Sequence, residues 1–84
     1  MNFYASYNDC YFCLLVREPF IHCSGQFKSN GKEITSYGEV IGQYTDCYIT
    51  IIGEPCSPIQ GKHYAVIRRY NDFQINKRKR EKET

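Results

Sequence analysis

The chain has no tryptophan, one methionine, three prolines and two histidines in its 84 residues. With so few histidines, and without a Ser/His/Asp order, a glycine-rich phosphate loop or a paired-carboxylate motif, there is little material for general acid/base or nucleophilic catalysis. The reading is that the protein is not an enzyme and that no cofactor is implied. No window approaches the ~18–20 consecutive apolar residues of a membrane span; the longest apolar run is Cys10 to Val16. No basic segment precedes that run and no small-residue cleavage site follows it, so no secretory leader is expected and the expected compartment is the cytoplasm. Cysteine is present but odd in number: Cys10, Cys13, Cys23, Cys47 and Cys56. An odd count without a leader argues for reduced thiols that pack as small hydrophobes.

What is present describes one small domain. At 42% apolar and 15% aromatic the chain is too hydrophobic for general disorder. A chain of this length buries only roughly 60–65% of its unfolded surface, which leaves a thin margin of stability. Charge is uneven. Residues 1–76 carry six Lys/Arg against seven Asp/Glu, whereas residues 77–84 carry five against two. The organisation expected is a nearly neutral domain over 1–76 and a basic flexible tail over 77–84.

Tyr11 to Val16 is aromatic, aliphatic or β-branched and ends at Arg17-Glu18-Pro19, which predicts a strand and turn. Phe20 to Lys28 predicts a second strand with a bend at Gly25. Ser29-Asn30-Gly31-Lys32 is the clearest hairpin signal, because Asn-Gly suits the positive φ of a type I′ turn. Glu33 to Ile41 fits helical spacing through Ile34, Tyr37 and Ile41, and strand alternation through Thr35, Tyr37, Glu39 and Ile41; the neighbouring glycines favour strand. Tyr44 to Ile52 predicts a buried strand, followed by a loop from Gly53 to Lys62. His63 to Tyr70 alternates as a last, edge-like strand, and Asn71 or Asp72 caps a short helix through Ile75.

An internal echo stands out. Tyr7-Asn8-Asp9-Cys10-Tyr11-Phe12 matches Tyr44-Thr45-Asp46-Cys47-Tyr48-Ile49, each followed by a Glu-Pro pair, and Tyr70-Asn71-Asp72-Phe73 is a partial third copy. One reading is a duplicated β unit; the other is that Asx-containing turns lead into strands by shared local chemistry.

Cys10-x-x-Cys13, with His22, Cys23, Cys47, Cys56 and His63, holds enough ligand types for tetrahedral zinc. Positions i and i+3 of a strand point to opposite faces, so the expectation is that no metal is bound. Eight tyrosines and five phenylalanines are more than so small a core needs. Tyrosine-rich strands bury large area at small entropic cost, in protein interfaces and on single-strand nucleic-acid platforms alike.

Tyr64-Ala65-Val66-Ile67-Arg68-Arg69-Tyr70-Asn71-Asp72-Phe73 resembles the segment at the end of the third strand of phox-homology domains. The resemblance implies phosphoinositide binding, with Arg68 or Arg69 on the lipid phosphate and Tyr70 against the inositol ring. It covers residues 44–73 at most, and eleven residues follow Phe73 where that family continues into a helical subdomain.

The sequence therefore predicts a mainly β domain of about five strands, a meander or partly open small barrel, with a short C-terminal helix; the alternative is α+β with residues 33–42 helical. The function expected first is a non-enzymatic protein-binding module, a small inhibitor of phage or mobile-element type that occupies a host protein's surface through Tyr48, Tyr64 and the Gly53 to Lys62 loop. The second is nucleic-acid binding, with Tyr64 and Tyr70 stacking on bases while Arg68, Arg69, Lys77, Arg78, Lys79 and Arg80 meet phosphates. The third is membrane-surface binding through Arg68-Arg69-Tyr70. Strand pairing along 63–70 would allow a homodimer.

Overall fold

The computed structural model describes residues 6–83, with side chains described as far as Arg78. Two helices lie against a five-stranded antiparallel sheet of order β1-β2-β3-β4-β5. The elements are α1 (Tyr7–Val16), β1 (Phe20–Ile21), β2 (Phe27–Ser29), β3 (Glu33–Ser36), β4 (Glu39–Tyr44), β5 (Ile49–Ile51) and α2 (Pro58–Glu83). The five-strand meander with a C-terminal helix is the expected architecture, but several segments carry a different structure from the one their pattern suggested.

The first is residues 11–16, which are helix and not strand. Ser6 and Asp9 form a capping box: the Asp9 N–H donates to Ser6 Oγ at 3.2 Å, and the Ser6 N–H donates to the Asp9 carboxylate at 3.3 Å. The stripe Tyr7, Cys10, Tyr11, Leu14 has helical i, i+3, i+4, i+7 spacing and faces the core. Arg17 ends the helix in the left-handed conformation.

The second is residues 63–70, expected as an edge strand and found in α2. Ser57 stands at its N-cap, where its Oγ accepts the Gln60 N–H at 3.1 Å, and Pro58 takes the first helical position, where a missing N–H costs nothing. Gln60, His63, Tyr64, Ile67 and Tyr70 then fall on one buried stripe. The loop after β5 is correspondingly shorter than expected, the short helix expected at 71–75 is part of α2, and the boundary expected between Asn76 and Lys77 falls inside that helix.

The strand region is finer than expected. Phe20 to Lys28 is two strands, because His22 to Gln26 form a loop closed by His22 N–H to the Phe27 carbonyl at 2.8 Å. Tyr44 to Ile52 is the end of β4, a turn over Thr45–Tyr48, and β5. Residues 33–42 are β3 and β4, so the helical alternative does not hold. The turn with two consecutive positive φ values is Tyr37 (53°) and Gly38 (81°), as a type I′ hairpin requires. At Asn30-Gly31 only Gly31 has positive φ, and Asn30 closes the turn through its side chain, which accepts the Lys32 and Glu33 N–H groups at 2.8 Å each.

The core lies between the helices and one sheet face: Leu14, Phe20, Phe27, Ile34, Ile41, Ile49 and Ile67 are all buried. Gly42 is the point of closest approach. A β-carbon there would stand 2.8 Å from Ile49 Cγ2 and 3.2 Å from Ile67 Cδ1, so glycine lets α2 press onto the sheet. On the opposite sheet face Ile21, Lys28, Thr35 and Val40 pair across four strands, two apolar and two polar. The edge of β5 is sealed by α2. Asn71 accepts the Ile49 N–H and donates to the Ile49 carbonyl, both at 2.9 Å, which are the two bonds a neighbouring strand would make. The Tyr64 and Tyr70 hydroxyls add bonds to the Ile52 and Cys47 carbonyls at 2.8 and 3.4 Å.

Candidate binding surface

α1 and α2 run side by side in the same direction. Tyr7 packs by His63 with ring centroids 5.8 Å apart, and further along both helices the Arg69 guanidinium lies 3.9 Å over the Tyr11 ring and donates to Asn8 Oδ1 at 3.1 Å. From the Asn8–Arg69 contact two stripes at i, i+4, i+8 follow the outer surface: Asn8, Phe12, Val16 on α1 and Arg69, Phe73, Lys77 on α2. Phe12, Val16 and Phe73 are 53%, 64% and 44% exposed. Large apolar side chains this open on neighbouring helix stripes form a patch that the fold itself leaves uncovered.

Cations surround the patch. Arg17 lies over the Tyr44 ring at 4.9 Å and donates to the Thr45 and Asp46 carbonyls, the latter at 2.9 Å. Arg78 lies over the Tyr48 ring at 5.8 Å and donates to Cys47 Sγ at 2.7 Å. Arg68 and Lys77 are exposed.

The residues singled out from sequence are thus only partly gathered. Tyr64 and Tyr70 are buried, with their hydroxyls spent on backbone carbonyls, so neither stacks on a base. Tyr48 is half-buried under Arg78. Arg68, Arg69 and Tyr70 leave α2 in three directions, towards solvent, α1 and the core, so the arrangement implied by the phox-homology resemblance is not formed. Lys77 and Arg78 lie on the surface described, and the side chains of Lys79 and Arg80 lie outside the described residues. Among the described residues no Tyr-rich sheet face is formed: Tyr11 is buried, Tyr7 and Tyr44 are half-buried, and Tyr37 at the hairpin tip is exposed. The echo is no structural repeat, since its copies fall in a helix, a turn and a helix.

Comparison with protein-family models, curated proteins and solved structures yields no match.

Sequence reasoning passed over Phe12, Val16 and Phe73. Their signal was available as apolar residues left off the stripes 7/10/11/14 and 60/63/64/67/70, but only once both segments were read as helix.

Two further clusters have chemical interest. The first is an aromatic cluster around two histidines, in which Phe27 stacks on His63 at 4.6 Å and Tyr7 on His22 at 4.0 Å. His63 Nδ1 and Ser36 Oγ are 2.7 Å apart, and both residues are fully buried, so this hydroxyl–imidazole pair ties β3 to α2 inside the core. Burial lowers the pKa of both histidines, and His22 lowers that of His63 further. The second cluster involves the cysteines. None of the five cysteines is joined in a disulfide; Cys10 and Cys13 are buried, Cys47 half-buried, Cys23 and Cys56 exposed. Burial, with Cys13 adjacent, pushes the Cys10 thiol up to about 12. Among the described residues no group of three or more His, Cys, Asp or Glu is placed to hold a metal ion, and no helix is long and apolar enough to cross a membrane. A shallow cavity of about 330 Å³ lies at the start of α2, lined by Tyr37, Glu39, Cys56, Ser57 and Gln60. Gln60 turns inward there to accept the Cys56 N–H at 2.6 Å.

Proposed function

We propose that the protein is a non-enzymatic protein-binding module that acts by occupying a partner's surface, as a small inhibitor does, and that its binding face is the outer surface of the α1–α2 layer. The observation that carries this reading is that Phe12, Val16 and Phe73 are exposed on stripes that start from the Asn8–Arg69 contact between the helices, while Tyr64 and Tyr70, expected to bind, are spent on the fold. Aromatic anchors at the centre of an interface, ringed by polar groups, contribute most of the affinity in protein complexes.

The test is affinity capture from a lysate of the native host with nuclease present, using the wild type and a Phe12→Ser/Phe73→Ser variant. The expected result is a near-stoichiometric protein that the wild type retains and the variant loses by about tenfold or more. Equal retention by a folded variant overturns the assignment of this face, and recovery of nucleic acid alone in a parallel capture without nuclease overturns protein binding.

A further inference from the structure

We infer that the α1–α2 face takes an acidic amphipathic segment of its protein partner, one that places carboxylates among large apolar side chains. This rests on the protein-binding reading above and adds the chemistry of the partner. The apolar component is Phe12, Val16 and Phe73, and the cations beside it are Arg17, next to Val16 in the chain, with Arg69 and Lys77, four residues before and after Phe73 on α2.

The state of the arginines is what sets the sign of the partner. Energetically significant cation–π contacts occur roughly once per 70–80 residues; here Arg17, Arg69 and Arg78 lie over Tyr44, Tyr11 and Tyr48, the first two beside the apolar stripes. A guanidinium held against a ring has already lost much of its rotamer freedom, so less remains to be lost when a carboxylate docks on its N–H edge. Their hydrogen-bond partners are neutral: the Thr45 and Asp46 carbonyls, Asn8 Oδ1 and Cys47 Sγ. The charges are therefore immobilised without being neutralised. Of the acidic residues nearest Arg17, Arg69 and Lys77, Glu18 follows Arg17 in the chain and Asp9 is engaged in the α1 capping box.

A protein segment fits this face better than a nucleic acid does. Tyr11, Tyr44 and Tyr48, the rings that would stack on bases, are covered by the protein's own guanidiniums. The open apolar groups between the cations include the aliphatic Val16, which suits a leucine or phenylalanine from a partner helix.

The experiment is selection of random peptides about four helical turns long, displayed on phage, on the folded full-length protein. Counter-selection uses the Phe12→Ser/Phe73→Ser variant, with folding of each verified by circular dichroism. Should that variant unfold, Val16→Ser, at the most exposed of the three positions, takes its place. A short oligothymidine is titrated in parallel by fluorescence anisotropy. The expected outcome is peptides that interleave Asp or Glu with apolar residues and weaken about tenfold when salt is raised from about 50 to about 500 mM. They also weaken on Arg69→Gln and on Lys77→Gln; the latter side chain is exposed and has no packing role to confound the result. Peptides that depend on Phe12 and Phe73 but show no acidic enrichment overturn the acidic partner and leave the protein-binding face standing. If no peptide survives counter-selection, both are overturned, and binding of the oligothymidine then identifies nucleic acid as the occupant.

Discussion

The two halves of α2 use the same helix for opposite ends. From Gln60 to Asn71 nearly every turn is tied to the sheet: Ile67 against Gly42, Tyr64 and Tyr70 on backbone carbonyls, and Asn71 on both polar groups of Ile49. From Asp72 to Arg78 the polar tie found among the described residues is Arg78 on Cys47, and Phe73 and Lys77 are exposed. In a domain this small, stability is concentrated where polar groups on the helix substitute for a missing strand, which frees the remaining turns for recognition.

The strongest challenge to that division is Ile67→Ala, which leaves a cavity over Gly42. We expect a loss of about 2–5 kcal/mol in denaturant unfolding, enough to unfold a marginal domain. A loss below about 1 kcal/mol would show that the first half of α2 does not hold the core. Asn71→Ala comes next, because it orphans the N–H and C=O of Ile49 together; we expect about 1–3 kcal/mol and faster hydrogen exchange at the Ile49 amide. Opening that edge is also expected to raise self-association in sedimentation velocity.

The third effect is pH dependence. Burial holds His22 and His63 below the ordinary histidine value in the folded protein, so the unfolded chain binds protons more readily. Stability is therefore expected to be flat above about pH 7, to fall as pH drops through the unfolded histidine value near 6.5, and to level once the folded-state values are passed. Urea midpoints across that window measure it, and a rise in stability on acidification would contradict the placement of the two rings. Arg78→Ala, in the second half, is expected to cost only about 0.5–1 kcal/mol. Lys77→Ala is expected to stay within about ±0.5 kcal/mol while the partner affinity tested above falls. A large stability loss at Lys77 would erase the distinction between the halves.

Why some of this was legible in the sequence and some was not follows from particular residues. The strands at 33–44 were readable because their glycines and alternation exclude a stable helix. The positive-φ pair was misplaced because Asn30 satisfies its turn by side-chain hydrogen bonds, whereas Tyr37 adopts a backbone conformation that tyrosine rarely does. Tyr11 to Val16 was misread because a short, unbroken apolar run has no period to separate a strand from a helix. The capping box at Ser6 and Asp9 was the overlooked signal. At 63–70 alternation and helical spacing coexist, and the Ser57-Pro58 pair that begins a helix was read as part of the Gly53 to Lys62 loop.

By itself the sequence determined a five-strand meander followed by a helix, a near-neutral stretch over residues 1–76 and a basic C-terminal end, since composition, turn residues and charge order act locally and persist in any packing. Only the tertiary structure decided which tyrosines are buried, which arginines are held over rings, and that Phe12, Val16 and Phe73 share one face. Those outcomes depend on how α1 and α2 lie against the sheet, and contacts between residues some sixty positions apart, such as Asn8 with Arg69, leave no periodic trace in the chain.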